Sequence, residues 1–151
     1  MGLFNWLIGS TPAPTSEAAL QPIHLARGRG YTFELVGESH FQDTLDAICG
    51  GKCEEGHKLP IAAQICFHED NPHDPNAIVI LVDRKPVGYV PRDIAAGMRS
   101  ELLALNPDER PVTCDAKITG GWRRGDDDDE GHYGVKLSLA QPLKVASTRS
   151  V

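Results

Sequence analysis

The sequence predicts a mainly β domain of the α+β class, a small curved sheet or partly open barrel with two helices packed on it. Three observations carry that expectation. Apolar residues recur at every second position in several separate stretches, as they do along strands that bury one face. Two other stretches carry apolar residues at helical spacing. The chain has 151 residues, enough for one ordinary core and too few for two sizeable domains.

In chain order, residues 9–29 are rich in Pro, Ala, Ser and Thr without a sustained period, and read as a linker. Tyr31 to Val36 alternates and suits a first strand, which Gly37 ends. Ser39 stands three residues before Gln42 in the capping-box arrangement, and Phe41, Leu45 and Ile48 follow at helical spacing. Gly50 and Gly51 close this short helix. Ile61, Ala63, Ile65 and Phe67 alternate as a strand. Ala77 to Val82 is apolar on both parities, as expected where both faces are covered. A turn over Asp83–Pro86 leads into Val87–Val90. Pro91 fits the first turn of a second helix, with Ile94, Met98, Leu102 and Leu105 on one face and Asn106-Pro107 as its stop. Val112 to Ile118 and Tyr133 to Leu139 alternate again across a long hairpin loop. The predicted order is therefore β-α-β-β-β-α-β-β. The expected domain spans 30–143, with a flexible leader at 1–29 and a tail at 144–151.

Composition narrows the function classes. Hydrophobic residues make up 40% and charged residues 24%, which suits a soluble globular domain. No apolar run approaches the roughly 20 residues of a membrane span, and the apolar opening Met1–Ile8 lacks a basic flank, so no membrane partner is expected. The net charge of −6 argues against nucleic acid when taken alone. The location of that charge removes the objection, because Asp126–Glu130 supplies −5 of it. Between Arg84 and Arg99, the cations Arg84, Lys85, Arg92 and Arg99 face only Asp93, a local +3.

The four cysteines, without a signal peptide, point to a reduced, cytoplasmic setting. Cys49, Cys53 and His57 carry metal-ligating atoms on a glycine-rich loop, but the C-x3-C spacing lacks a second ligand pair, so no metal and no cofactor is expected. Cys66 and Cys114 fall inside alternating stretches, where a cysteine serves as a small buried hydrophobe.

The densest turn chemistry lies in Asp70-Asn-Pro-His-Asp-Pro-Asn-Ala-Ile78. Pro72 and Pro75 fix two φ angles and push Asn71 and Asp74 toward extended conformations, so the loop is stiff. Asn71, Asp74 and Asn76 can each close Asx turns. His73 stands between the locked positions with no apolar period to draw it inward. Such a loop presents an imidazole and a carboxylate at little entropic cost on binding.

This string, followed by an apolar strand, a turn and Val87-Gly-Tyr-Val-Pro91 before a helix containing Ala95 and Ala96, resembles the HIRAN domain family. Val36-Gly-Glu-Ser-His-Phe41 is similar to that family's first strand and following turn. The resemblance covers about residues 30–140 and implies a HIRAN fold, a small barrel related in shape to OB and SH3-like barrels. It also implies binding to single-stranded DNA through its 3′ end, a role in DNA repair, and a helicase or nuclease as partner protein. By motif position, His73 falls at a base-stacking tyrosine and Asp74 at the carboxylate that holds the terminal hydroxyl. Tyr89 falls at the Gly-aromatic position, Arg92 at a basic helix start, and His40 and Phe41 at aromatics after the first strand. The chain departs from the family at Ser39, where an arginine contacts phosphate, at His73 itself, and in the acidic run.

The chemistry stands independently of the family. Single strands are held by flat side chains that stack on bases and by cations that follow the phosphates. His40, Phe41, His73 and Tyr89 can stack, and Arg84, Lys85 and Arg92 supply charge. A carboxylate in such a groove repels phosphate, so Asp74 fits only a neutral donor such as a free 3′ hydroxyl. The competing class is a protein-interaction module whose acidic hairpin excludes DNA. No nucleophile elbow, Walker loop, nuclease-type acidic pair or triad is present, so an enzyme is not expected.

Overall fold

Alternation becomes strand wherever one parity finds the core. In the computed structural model, which describes residues 21–125 and 129–146, Ala63 and Ile65 of β3 (His57–Phe67) are buried while Pro60 and Ala62 are exposed. The same rule places Ile78, Ile80 and Val82 of β4 (Ile78–Val82) inside, together with Val112, Cys114, Ala116 and Ile118 of β6 (Val112–Gly120). Tyr133, Val135 and Leu137 of β7 (Tyr133–Ser138) complete this inner face. The short strands are β1 (Ile23–His24), β2 (Phe33–Glu34) and β5 (Lys85–Tyr89).

These seven strands form one curled sheet in which β2-β7-β6-β3-β4-β5 runs antiparallel throughout and β1 lies parallel to β6. The two ends of the path meet. Just beyond β2, Val36 and Tyr89 each donate their N–H to the other's carbonyl at 2.8 Å. The sheet is thus a half-barrel with one stitch across its opening, mainly β with two helices as the sequence predicts.

Both helices differ from the sequence-based expectation in one detail each. A 3-10 turn (Glu38–Phe41) precedes α1 (Gln42–Cys49), and no side chain caps the N-terminus of α1. Gln42 is taken by β7 instead: its Nε2 donates to the carbonyls of Glu38 and Tyr133 at 3.0 Å, and its Oε1 accepts from the Tyr133 N–H at 2.8 Å. A long-range partner has outcompeted the local capping box. In α2 (Arg92–Leu105) the buried residues are Ala95, Met98 and Leu102, while Ile94 remains 42% exposed. Ala95, Met98 and Leu102 make the inward face of α2 and join the core cluster, so Ile94 is turned away from it.

The flanks also depart from expectation. Ile23–His24 pairs with Val112 and Thr113, Leu25 is fully buried, and Leu25 bridges Val145. The Ala26 N–H donates to the Lys144 carbonyl and the Ala146 N–H to the His24 carbonyl, both at 2.8 Å. Residues 23–26 and 144–146 are therefore strand-paired rather than leader and tail. Residues 1–20 and 147–151, the rest of those expected flanks, lie outside the described residues.

The β4–β5 hairpin turns on Asp83 and Arg84, with φ of 54° and 66°. Two successive left-handed residues make the reversal that matches strand twist, a conformation more often given to Asn and Gly. Lys85 and Pro86, expected in the turn, already belong to β5.

Candidate nucleic-acid interface

The stitch between Val36 and Tyr89 decides where the aromatic residues gather. Gly37, at φ 81°, turns the chain away from the sheet and into the 3-10 turn, so that Phe41 comes over β5. The centroids of Phe41 and Tyr89 lie 6.3 Å apart with 35° between ring planes, and His40 meets Phe41 edge-on at 6.4 Å. Tyr89 also has His68 stacked against it, with centroids 5.9 Å apart and 23° between ring planes. The Tyr89 hydroxyl and His68 Nδ1 are 2.9 Å apart. His40, Phe41, Tyr89 and His68 thus form a continuous row of rings, with His40 exposed and the other three half-buried.

His68 is the member that sequence reasoning missed. It ends the alternation of β3 and carries no motif of its own. The usable signal is register: His68 follows Phe67, which pairs with Ile78, and Val79 in turn pairs with Tyr89.

The proline-braced loop lies directly beside this row. Its ends are tied by the His68 N–H donating to the Ala77 carbonyl at 2.8 Å and the Asn71 N–H donating to the His68 carbonyl at 3.1 Å. Asn71 Oδ1 accepts from the N–H groups of His73 and Asp74 at 2.8 and 3.1 Å, and Asp74 Oδ1 accepts from Asn76 N–H at 2.9 Å. Two of the three expected Asx turns form; Asn76 contributes its backbone N–H. One Asp74 oxygen is therefore committed to the loop, whereas Oδ2 has no hydrogen-bond partner among the described residues. Arg92, at the start of α2, donates from Nη2 to the His73 carbonyl at 3.1 Å, so the loop is pinned to the helix by the guanidinium expected to face phosphate. Arg92 forms no ion pair among the described residues, and the His73 ring is exposed.

The structure thus brings His40, Phe41, His73, Asp74, Tyr89 and Arg92 to one end of the β4–β5 hairpin. Arg84 and Lys85 are at the other end, about 13 Å away for four strand steps of about 3.3 Å. Arg99, the fourth cation of the basic segment, is occupied: it pairs with Glu69, and its guanidinium lies 4.2 Å from the Phe67 ring centroid.

The hairpin that carries the acidic run is described at its base; Asp126–Asp128 lie outside the described residues. Glu130 accepts from Lys52 at 2.8 Å and from Arg123 at 3.1 Å, and these two cations hold its carboxyl below the usual carboxylate range. Trp122 donates to Asp129 Oδ1 at 3.3 Å with Arg124 over its ring, and Arg124 Nε donates to the Glu54 carbonyl. The described part of this hairpin is therefore charge-compensated and fastened to the connection between α1 and β3.

Near that connection Cys53 Sγ comes within 3.8 Å of His57 Nε2 and donates to the Gly56 carbonyl, while His57 Nε2 lies 2.9 Å from the Gly51 carbonyl. Among the described residues no three metal-ligating side chains converge. Burial pushes the Cys114 thiol up to about 12, and it raises Cys49 and Cys66 as well. Because the thiolate is the reactive form, iodoacetamide at pH 8 is expected to label exposed Cys53 first and to spare Cys114 until the protein is unfolded. Peptide mass spectrometry of the folded and urea-unfolded protein checks this order.

The curled β half-barrel thus carries, at one end, a row of rings beside a proline-braced loop tied to α2 through Arg92. The chain belongs to the HIRAN domain family, whose match spans residues 31–115, and that family is a class of non-catalytic binding modules generally associated with DNA. The matched span contains the whole aromatic row and the proline-braced loop, and it ends within β6. No curated protein and no solved structure matches the chain. No described helix is long and apolar enough to cross a membrane.

Proposed function

We propose that this HIRAN module is a non-enzymatic binder of single-stranded DNA that recognises a free 3′ hydroxyl end. The observation that carries the reading is the junction of the four-ring row with the loop that presents Asp74. Bases stack on the row, the phosphate path follows Arg92, and Asp74 Oδ2 accepts from the terminal hydroxyl. Asp74 Oδ1 is already occupied by Asn76, which leaves the carboxylate one oxygen for one donor. Arg84 and Lys85 serve the phosphates of a longer strand, since they lie a hairpin's length from the row. Lys52 and Arg123 offset the charge of Glu130, which supports DNA approach over exclusion by that hairpin. A fork-remodelling helicase or a nuclease is the partner that such an end-binding module suits, in a cytoplasmic repair setting.

The reading is tested by fluorescence anisotropy with a labelled single-stranded oligonucleotide at about 50 and about 200 mM salt. Affinity is expected to fall with salt, because cations that neutralise phosphates release counterions on binding. Arg92→Ala is expected to weaken 3′-hydroxyl and 3′-phosphate strands equally and to flatten the salt dependence by about one unit of slope. Binding that is absent at the lower salt would remove DNA from the account and favour a protein partner for the same surface.

A further inference from the structure

Tyr89 is the hub of the aromatic row, yet a tyrosine on a five-residue edge strand needs something to hold its ring. Its backbone is fixed by pairing with Val36 on one side and Val79 on the other. Its ring is flanked by Phe41 and His68, and its hydroxyl has one partner among the described residues, Nδ1 of His68 at 2.9 Å. We infer that His68 is a positioning residue that locks the Tyr89 ring and the Asp74 loop into one register. The inference rests on the proposed DNA binding and adds to it a residue outside the motif positions.

Two sets of contacts on one residue support this role. Through its backbone, His68 closes the loop: its N–H donates to the Ala77 carbonyl and its carbonyl accepts from the Asn71 N–H. Through its ring, it stacks on Tyr89 and meets the hydroxyl. His68 is itself held from both sides, since its neighbours Phe67 and Glu69 both engage Arg99 of α2, one through the ring face and one by ion pair. The surface that stacks bases and the loop that meets the chain end therefore share one anchored residue. With Tyr89 held before DNA arrives, binding does not have to order that ring, and the spacing from ring to carboxylate is set in advance. His68 touches no nucleotide in this scheme; it acts through Tyr89.

A double-mutant cycle tests the inference, with the same labelled 3′-hydroxyl oligonucleotide and thermal melts of every protein. His68→Phe keeps a flat ring and removes Nδ1, Tyr89→Phe removes the same bond from the other side, and His68→Asn returns a polar atom near the Nδ1 position. Each Phe variant is expected to bind about three- to tenfold more weakly, the loss of one net hydrogen bond. The double Phe variant is expected to lose no more than either single one, because both delete one interaction. His68→Asn is expected to recover most of the loss. A purely structural role would lower melting temperatures and make the binding losses add. Additive losses, unchanged affinity in His68→Phe, or no recovery with Asn would each overturn the inference while leaving DNA binding intact. A wild-type protein that fails to bind the oligonucleotide would instead overturn the functional reading and this inference with it.

Discussion

Ile80→Ala is expected to lower the free energy of unfolding by about 2–5 kcal/mol, the largest single effect anticipated in this protein. Ile80 is fully buried at the centre of β4, opposite Ile65 on β3 and Gly88 on β5. Removing its outer carbons forfeits their transfer from water and leaves a cavity. The neighbouring backbone cannot collapse into that space, because both partner strands are held by their own ladders. Gly88 also sits tightly, with a Cβ there meeting Leu35 atoms at 3.1 and 3.2 Å, so this region has no slack to redistribute. Urea denaturation gives the number from the midpoint at constant slope. A change below about 1 kcal/mol would mean that the core of the half-barrel does not close around Ile80. The site depends on this strand, since β4 carries the proline-braced loop at one end and the Arg84 turn at the other.

Tyr89→Ala is expected to weaken single-stranded DNA binding by about 1–3 kcal/mol, the range for losing one base-stacking aromatic. Two features place the effect high in that range, and a third keeps the variant folded. The ring occupies the middle of the row, so its loss separates Phe41 from His68. It is the partner of His68 Nδ1, which is left without its bond. The side chain is only half-buried, so the fold tolerates its removal better than that of a core residue. Backbone pairing with Val36 and Val79 persists in the variant. Anisotropy titrations, with circular dichroism to show that the variant is folded, give the comparison. Unchanged affinity would place the stacking surface elsewhere, on His40 or His73 alone.

Much of this architecture is legible in the sequence, because β3, β6 and β7 each keep one apolar parity over several residues, β4 is apolar throughout, and α2 keeps a stripe through Met98 and Leu102. The failures have separate physical causes. Ile23–His24 is too short to show a period, and its partners Val112 and Thr113 are distant along the chain. Ser39 and Gln42 satisfy the capping-box pattern, but the Gln42 amide bonds instead to the backbone of Tyr133 and to the Glu38 carbonyl. Ile94 has helical spacing but lies off the buried face of α2, which Ala95, Met98 and Leu102 form.

The candidate site divides in the same way. The stiffness of residues 70–78 follows from Pro72, Pro75 and the Asx chemistry, all local, and the Asn71 and Asp74 turns form as those residues dictate. The gathering of Phe41 against Tyr89 depends on the Val36–Tyr89 stitch, a tertiary event with no sequence signature. The separation of Arg84 and Lys85 from that cluster is within reach of sequence reasoning, because a five-residue strand sets the length of the hairpin. Similarity of charge along the chain obscures it. His68 stays hidden because its importance lies in what it touches, one hydroxyl and the backbone of its own loop, and not in a motif.

In the proposed mode of binding, Asp74 distinguishes a free 3′ hydroxyl end from a blocked one. The direct measurement is the affinity of wild type and Asp74→Ala for two oligonucleotides identical except for a 3′ hydroxyl or a 3′ phosphate. Wild type is expected to prefer the hydroxyl by about tenfold or more, because the carboxylate accepts from a hydroxyl in a charge-assisted bond and repels a terminal phosphate. Asp74→Ala is expected to bind both ends alike. Equal affinity of the wild type for the two ends, or a preference that survives in Asp74→Ala, would show that Asp74 does not read the chain end.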